Sequence, residues 1–127
     1  MHVNEQLMRK MDKAMMDGDM ETFFGSHTDD VVVHIAGHSS LAGTTKGLDE
    51  MQTLFAQFMQ RAGEFTFEAH DYIAGDTHGV ILQRSHYNRD GNRLDTDDIF
   101  VCHFRDQKIS EFWMSSWQQA ELDAFLG

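Results

Sequence analysis

The stretch DDVVVHIAGHSSLAG, residues 29–43, decides how the fold is read. Three consecutive valines predict a buried strand, and His34 follows them, with Ile35, Ala36 and Gly37 next. A histidine closing an apolar run is either a core residue whose ring nitrogens have partners or a group aimed into a cavity. Gly37, Gly43 and Gly47 mark the following segment as a loop. Beyond it Leu48, Met51, Leu54, Phe55, Phe58 and Met59 form one apolar helical stripe that ends at Gly63, with Asp49 and Glu50 in the first turn complementing the helix dipole.

Toward the N-terminus, Val3, Leu7, Met8, Met11 and Met15 recur at helical spacing, and Gly18 can stop that helix in a left-handed conformation. Asp19 can cap a short second helix that buries Phe23 and Phe24. Toward the C-terminus the pattern predicts three long strands, residues 64–74, 77–89 and 93–105, and a fourth over 108–115. Their connections, Gly75-Asp76, Asp90-Gly91 and Asp106-Gln107, are short enough for antiparallel hairpins. Ser116-x-x-Gln119 reads as a capping box for a closing helix that buries Leu122 and Phe125. The order is helix, short helix, strand, helix and four-stranded meander: an α+β architecture with helices on one face of a curved antiparallel sheet, organised as one domain over residues 1–127. A sheet bent around a long helix tends to leave a cone-shaped hollow, where small ligands bind.

Composition narrows the function classes. With 10 Lys+Arg against 21 Asp+Glu the formal net charge is −11, which repels phosphate backbones and anionic lipid heads, so neither nucleic acid nor membrane is an expected partner. Eight histidines could cancel much of that charge in mild acid. The single cysteine, Cys102, forbids an intrachain disulfide and, lying in an apolar run, reads as an inert buried thiol. The N-terminal residues lack a secretory apolar segment and no run reaches the ~20 residues of a membrane span, so a cytoplasmic location is expected. No helical His-x-x-x-His, cysteine pair or glycine-rich phosphate loop is present, so neither a metal nor a cofactor is expected.

Asp29-Asp30-Val-Val-Val-His34, then Leu41-Ala42-Gly43, then Lys46-Gly47 before the helix, and Lys108-Ile109-x-x-Phe112-Trp113 near the end resemble, in order and spacing, the SnoaL-like branch of the nuclear transport factor two superfamily. The resemblance implies a cystatin-like, cone-shaped barrel: a strongly curved antiparallel sheet wrapped around a long helix. Relatives include ketosteroid isomerase, limonene epoxide hydrolase and polyketide cyclases, so fold does not fix chemistry. At the places where ketosteroid isomerase carries a tyrosine, a carboxylate base and a protonated carboxyl, this chain has Met11, His34 or Ile35, and Asp98 or Ile99. The limonene epoxide hydrolase positions hold Arg84-Ser85-His86, Trp113-Met114-Ser115, and Val32 with His34, so both aspartates of its water-activating pair are absent. The resemblance therefore points His34, Arg84, His86 and Trp113 at substrate.

Strand alternation puts Val80, Leu82, Arg84 and His86 on one face and Ile81, Gln83, Ser85 and Tyr87 on the other, without saying which looks inward. A two-residue Asp90-Gly91 loop sets Arg84 opposite Asp97; a three-residue loop including Asn92 sets it opposite Asp98. The resemblance favours Asp98, sharing a face with Thr96 and Phe100. The candidate catalytic set is then His34, Arg84, His86 and Asp98, with Trp113, Phe100, Thr96, Leu82, Met11 and Phe55 as ligand contacts. His27, His38, His70 and His78, near loops or strand ends, are expected in solvent. The implied function is cofactor-independent acid–base chemistry (isomerisation, cyclisation or dehydration) on a small, largely apolar molecule. The alternatives are a non-catalytic binder and a dimerising interaction module. A homodimer through the outer face of the sheet is expected in each case.

Overall fold

The computed structural model describes residues 1–127. The chain runs α1 (Val3–Asp17), α2 (Met20–Gly25), β1 (His27–Ile35), β2 (Gly43–Lys46), α3 (Leu48–Ala62), β3 (Glu64–Ala74), β4 (His78–Arg89), β5 (Asn92–Arg105), β6 (Lys108–Ser116) and α4 (Gln119–Leu126). The six strands form one sheet in the order β2-β1-β6-β5-β4-β3. Every pairing is antiparallel except that of β1 with β6.

Local chemistry accounts for the boundaries. Helix α1 buries Met8, Met11 and Ala14 and stops at Gly18, whose φ of 75° is the left-handed conformation that glycine adopts without steric cost. Asp19 caps α2 by accepting a hydrogen bond from Thr22 N at 3.2 Å. Helix α3 ends at Gly63, with φ 72°, where a Cβ would lie 2.5 Å from Asn88 O. Only glycine lets the helix turn so close to β4. The closing capping box forms by half: Gln119 Oε1 accepts from Ser116 N at 2.9 Å, while Ser116 Oγ accepts from Gln118 N instead of from the helix's third residue.

The hairpin turns settle the register. Asp90 and Gly91 have φ of 54° and 87°, the positive pair of a two-residue hairpin turn, and Arg89 faces Asn92 across it. Arg84 consequently stands opposite Asp97, and Gln83 opposite Asp98. The three-residue turn, which the family resemblance favoured, is corrected. The short strand β2 falls in the segment read as a loop; it is a polar, mostly exposed edge strand without the alternation that announces a half-buried one.

Helices α1 and α3 lie against the inner face of the sheet. The buried side chains divide into two clusters. One gathers Met8, Met11, Phe23, Val31, Val33, Met51, Ile81 and Cys102, the other Leu41, Tyr87, Met114, Leu122 and Phe125. Ile35, Leu54 and Phe100 pack against both. No helix is long and apolar enough to cross a membrane.

Candidate functional site

A cavity of about 140 Å³ opens inside the curved sheet and draws its lining from both apolar clusters. Period-two alternation decides which side chains reach it. On β4 these are Ile81, Gln83 and Tyr87; on β5, Asp98, Phe100 and Cys102. Helix α1 contributes Met11 and Asp12, α3 contributes Phe55 and Phe58, and β1 begins with His27. Lysine and arginine are absent from the lining.

Asp98 is the most constrained polar group in this space. It is 2 % exposed, and its Oδ2 accepts hydrogen bonds from Ser85 Oγ at 2.6 Å and Thr96 Oγ1 at 3.2 Å. Ser85 Oγ in turn accepts from Gln83 Nε2 at 3.1 Å, so a buried polar chain runs across the β4–β5 pairing to one carboxyl. Asp98 Oδ1 is buried with no hydrogen-bond partner. Leaving a carboxylate oxygen dry and unpaired favours the neutral acid. Burial accordingly raises the Asp98 carboxyl above its ordinary range, against the lowering by the Ser85 hydroxyl. The Tyr87 phenol is also pushed up by burial, with the Asp98 charge adding to it.

Asp12, His27 and Cys102 belong to the other end of the cavity. Asp12 Oδ2 accepts from Tyr72 Oη at 2.6 Å, and burial pushes the carboxyl up to about 6. His27 is 2 % exposed; its Nδ1 donates to Phe23 O at 2.9 Å, and burial pulls it down to about 4, so the ring is neutral and Nε2 carries a lone pair. The expectation that His27 lies in solvent is corrected: strand β1 begins four residues before the valine run and carries it into the core. Cys102 is 2 % exposed and its thiol is pushed up to about 12 by burial, which keeps it a thiol.

Five of the residues expected at the cavity lie on the outer face instead. Because Val31 and Val33 point inward, His34 points outward; it stacks on Trp113 with ring centroids 4.9 Å apart and bonds Glu111 Oε2 through Nε2 at 2.6 Å. Arg84 Nη1 donates to Asp97 Oδ1 at 2.9 Å. His86 sits between Glu68 at 2.9 Å and Asp95 at 2.7 Å, and those two carboxylates, Glu68 foremost, raise its pKa. Leu82 shares that face, opposite Ile99. The expected convergence of His34, Arg84 and His86 with Asp98 on one empty volume is therefore corrected, as are Leu82 and Trp113 as cavity walls. Met11, Phe55, Phe100 and Asp98 do line it, while Thr96 is fully buried and reaches the Asp98 carboxyl rather than open space.

Sequence reasoning placed Gln83, Ser85 and Tyr87 together on one face but took the opposite one for the site. It overlooked Asp12. The signal was present, since Asp12 follows Met8 by four residues and so interrupts the apolar stripe of α1 with an acid.

Comparison with known proteins agrees with this architecture. Bal32a, from a soil-derived mobile gene cassette, superposes with a TM-score of 0.91 at 22% identity over 98% of this chain and 97% of its own. A Xanthomonas campestris protein of unknown function with a cystatin-like fold gives 0.91 at 25% identity, covering 98% of each chain. A candidate SnoaL-like polyketide cyclase from Jannaschia sp. CCS1 gives 0.82 at 12% identity over 98% of this chain and 92% of its own. No curated protein matches the sequence. The family model of the SnoaL-like domain matches residues 8–112, and the chain belongs to that family.

Proposed function

We propose that the protein is a small-molecule enzyme of SnoaL type that performs cofactor-independent acid–base chemistry on a largely apolar ligand inside the sheet, with Asp98 moving the proton. The observation that carries this reading is the Asp98 carboxyl: raised by burial, anchored on one oxygen by Ser85 and Thr96, and unpaired on the other. A carboxylic acid kept neutral in an apolar pocket can donate a proton or hydrogen bond to a carbonyl or enol oxygen, and its conjugate base can take a proton from carbon. Isomerisation, cyclisation and dehydration all need one such group. The Jannaschia relative's description as a polyketide cyclase is in keeping with this class.

Turnover by Asp98→Asn and by the wild type, on any substrate identified by native mass spectrometry of copurifying molecules, tests the proposal. Loss of activity with ligand binding retained supports it; unchanged activity contradicts it, and binding without any turnover by the wild type would make the protein a carrier on the same cavity.

We also propose that the outer face pairs with a second copy. The row Ile73, Val80, Val101 and Trp113 runs across four strands, with Leu82 and Ile99 beside it, and Ile73 is 54 % exposed in the single chain. Size-exclusion chromatography at micromolar concentration should give a dimer, and a strict monomer contradicts this pairing.

A further inference from the structure

The end of the cavity away from Asp98 carries a second buried acid with no cation to balance it. Asp98 and Cys102 are four residues apart on β5, a rise of ~13 Å, and the Asp12 charge acts on the Cys102 thiol. Asp12 is 8 % exposed. Its one hydrogen bond is from the Tyr72 hydroxyl to Oδ2, and no basic side chain forms an ion pair with it. Arg9, one helical turn earlier, is engaged elsewhere: Nε donates to Glu5 at 3.2 Å and the guanidinium lies over the Tyr72 ring. An acid buried this way is costly unless something cationic arrives.

The walls at this end are aromatic and nearly continuous. Phe55 and Phe23 have centroids 5.1 Å apart, Phe23 and His27 5.3 Å, His27 and Phe112 6.0 Å, and Phe112 and Phe100 6.4 Å, and all five residues line the cavity. Ring faces attract a cation, more so where water is excluded. An anionic ligand would meet Asp12, Asp98 and Asp123 with no lysine or arginine to offset them.

We infer that this end of the cavity binds an organic ammonium ion, an amine on an apolar body of about one ring, held by the Asp12 carboxylate and the surrounding phenylalanine rings. This assigns a ligand class to the cavity of the proposed function; it rests on that cavity being the ligand site and not on the role given to Asp98. The ammonium group donates to Asp12 Oδ1, the oxygen that Tyr72 leaves free, and the apolar body extends toward Asp98.

The test uses three probes of matching shape: 2-phenylethylammonium, 2-phenylethanol and 3-phenylpropanoate, each titrated calorimetrically into the full-length protein near neutral pH. The ammonium ion should bind roughly tenfold tighter than the alcohol, and the carboxylate should not bind. Asp12→Asn should erase the preference for the cation, and Asp98→Asn should keep it. Loss of the preference in Asp98→Asn alone would move the amine to the other end and overturn the assignment. So would equal affinity for alcohol and ammonium, or no binding of the ammonium ion at millimolar concentration.

A pH series keeps the test decisive if Asp12→Asn folds poorly. Ammonium affinity of Asp98→Asn should fall as pH drops through about 6, where Asp12 takes up its proton, while alcohol affinity stays flat. The other groups with displaced titrations that face Asp12 are silent in that window: burial pulls His27 down to about 4 and pushes Cys102 up to about 12, and Tyr72 is raised. An ammonium affinity independent of pH there would contradict the proposal.

Discussion

The two faces of the sheet are built from the same strands and treat ionisable groups in opposite ways. On the outer face the charges beside the expected site have partners: Arg84 with Asp97, His86 with Glu68 and Asp95, His34 with Glu111. Those side chains are partly solvated, so each pairing is screened by water and contributes little on its own. On the inner face the acids have hydroxyl donors but no cation, and burial raises both Asp98 and Asp12. A paired surface charge is stable and inert, whereas a dry acid with a free oxygen is poised to exchange a proton. Residue type did not distinguish the two; the face did.

The sharpest way to break this comparison is to neutralise one acid on each side. Asp98→Asn should lower turnover by roughly 10²–10⁴-fold, the range of a lost acid–base group, while Arg84→Ala and His86→Ala stay within about twofold of wild type. Steady-state kinetics of the three variants on one substrate decides it. Equal losses on both faces would dissolve the distinction.

Next in size is the pH dependence of stability. The Asp12 value in the folded state, about 6, lies above its reference of 3.8, so its contribution is present in acid and is lost as pH rises through about 6. His27 runs the other way: its folded value, about 4, lies below 6.5, so its contribution is present near neutrality and is lost as pH falls toward 4. Each shift corresponds to about 3 kcal/mol, so the two largely cancel in the wild type. Asp98 is raised in the same sense as Asp12, so the Asp12→Asn/Asp98→Asn double variant should unmask the histidine, losing about 3 kcal/mol between pH 6.5 and 4 in urea denaturation. A flat profile for that variant would mean that His27 is not held neutral.

Ser85→Ala comes third. It removes the 2.6 Å donor to Asp98 and leaves Gln83 Nε2 without its acceptor, which should cost about 1–3 kcal/mol. With a lowering influence gone, Asp98 should titrate higher still, and the limb of the pH–rate profile that reports Asp98 should move to higher pH. The smallest effects belong to the outer face. Arg84→Ala and His86→Ala should each change unfolding free energy by less than about 1 kcal/mol, given the exposure of both pairs.

The architecture was readable from patterns because the long elements announce themselves. Residues 64–74 were bounded as observed, and α1, α3 and the hairpin meander followed from helical spacing and turn residues. Strand β2 was not legible, since four polar residues at an exposed edge carry no alternation. Face assignment failed for a physical reason: β4 is apolar on both sides, with Val80 and Leu82 outside and Ile81 and Tyr87 inside. Yet Val33 inward already requires His34 outward, and the Asp90-Gly91 turn already favours Arg84 opposite Asp97. Local geometry was the better guide there than the family resemblance. Asp12 needed only the question why an acid sits on an apolar stripe.

Carboxyl ¹³C NMR titration of the aspartates, with the Asp98 signal assigned by its loss in Asp98→Asn, tests the contrast between the faces most directly. A midpoint for Asp98 above the ordinary aspartate value of about 3.9, with Asp95 lowered by its hydrogen bond to His86, is the required result. A midpoint for Asp98 at or below that value would contradict it, because the inner acid would then be as inert as the outer ones.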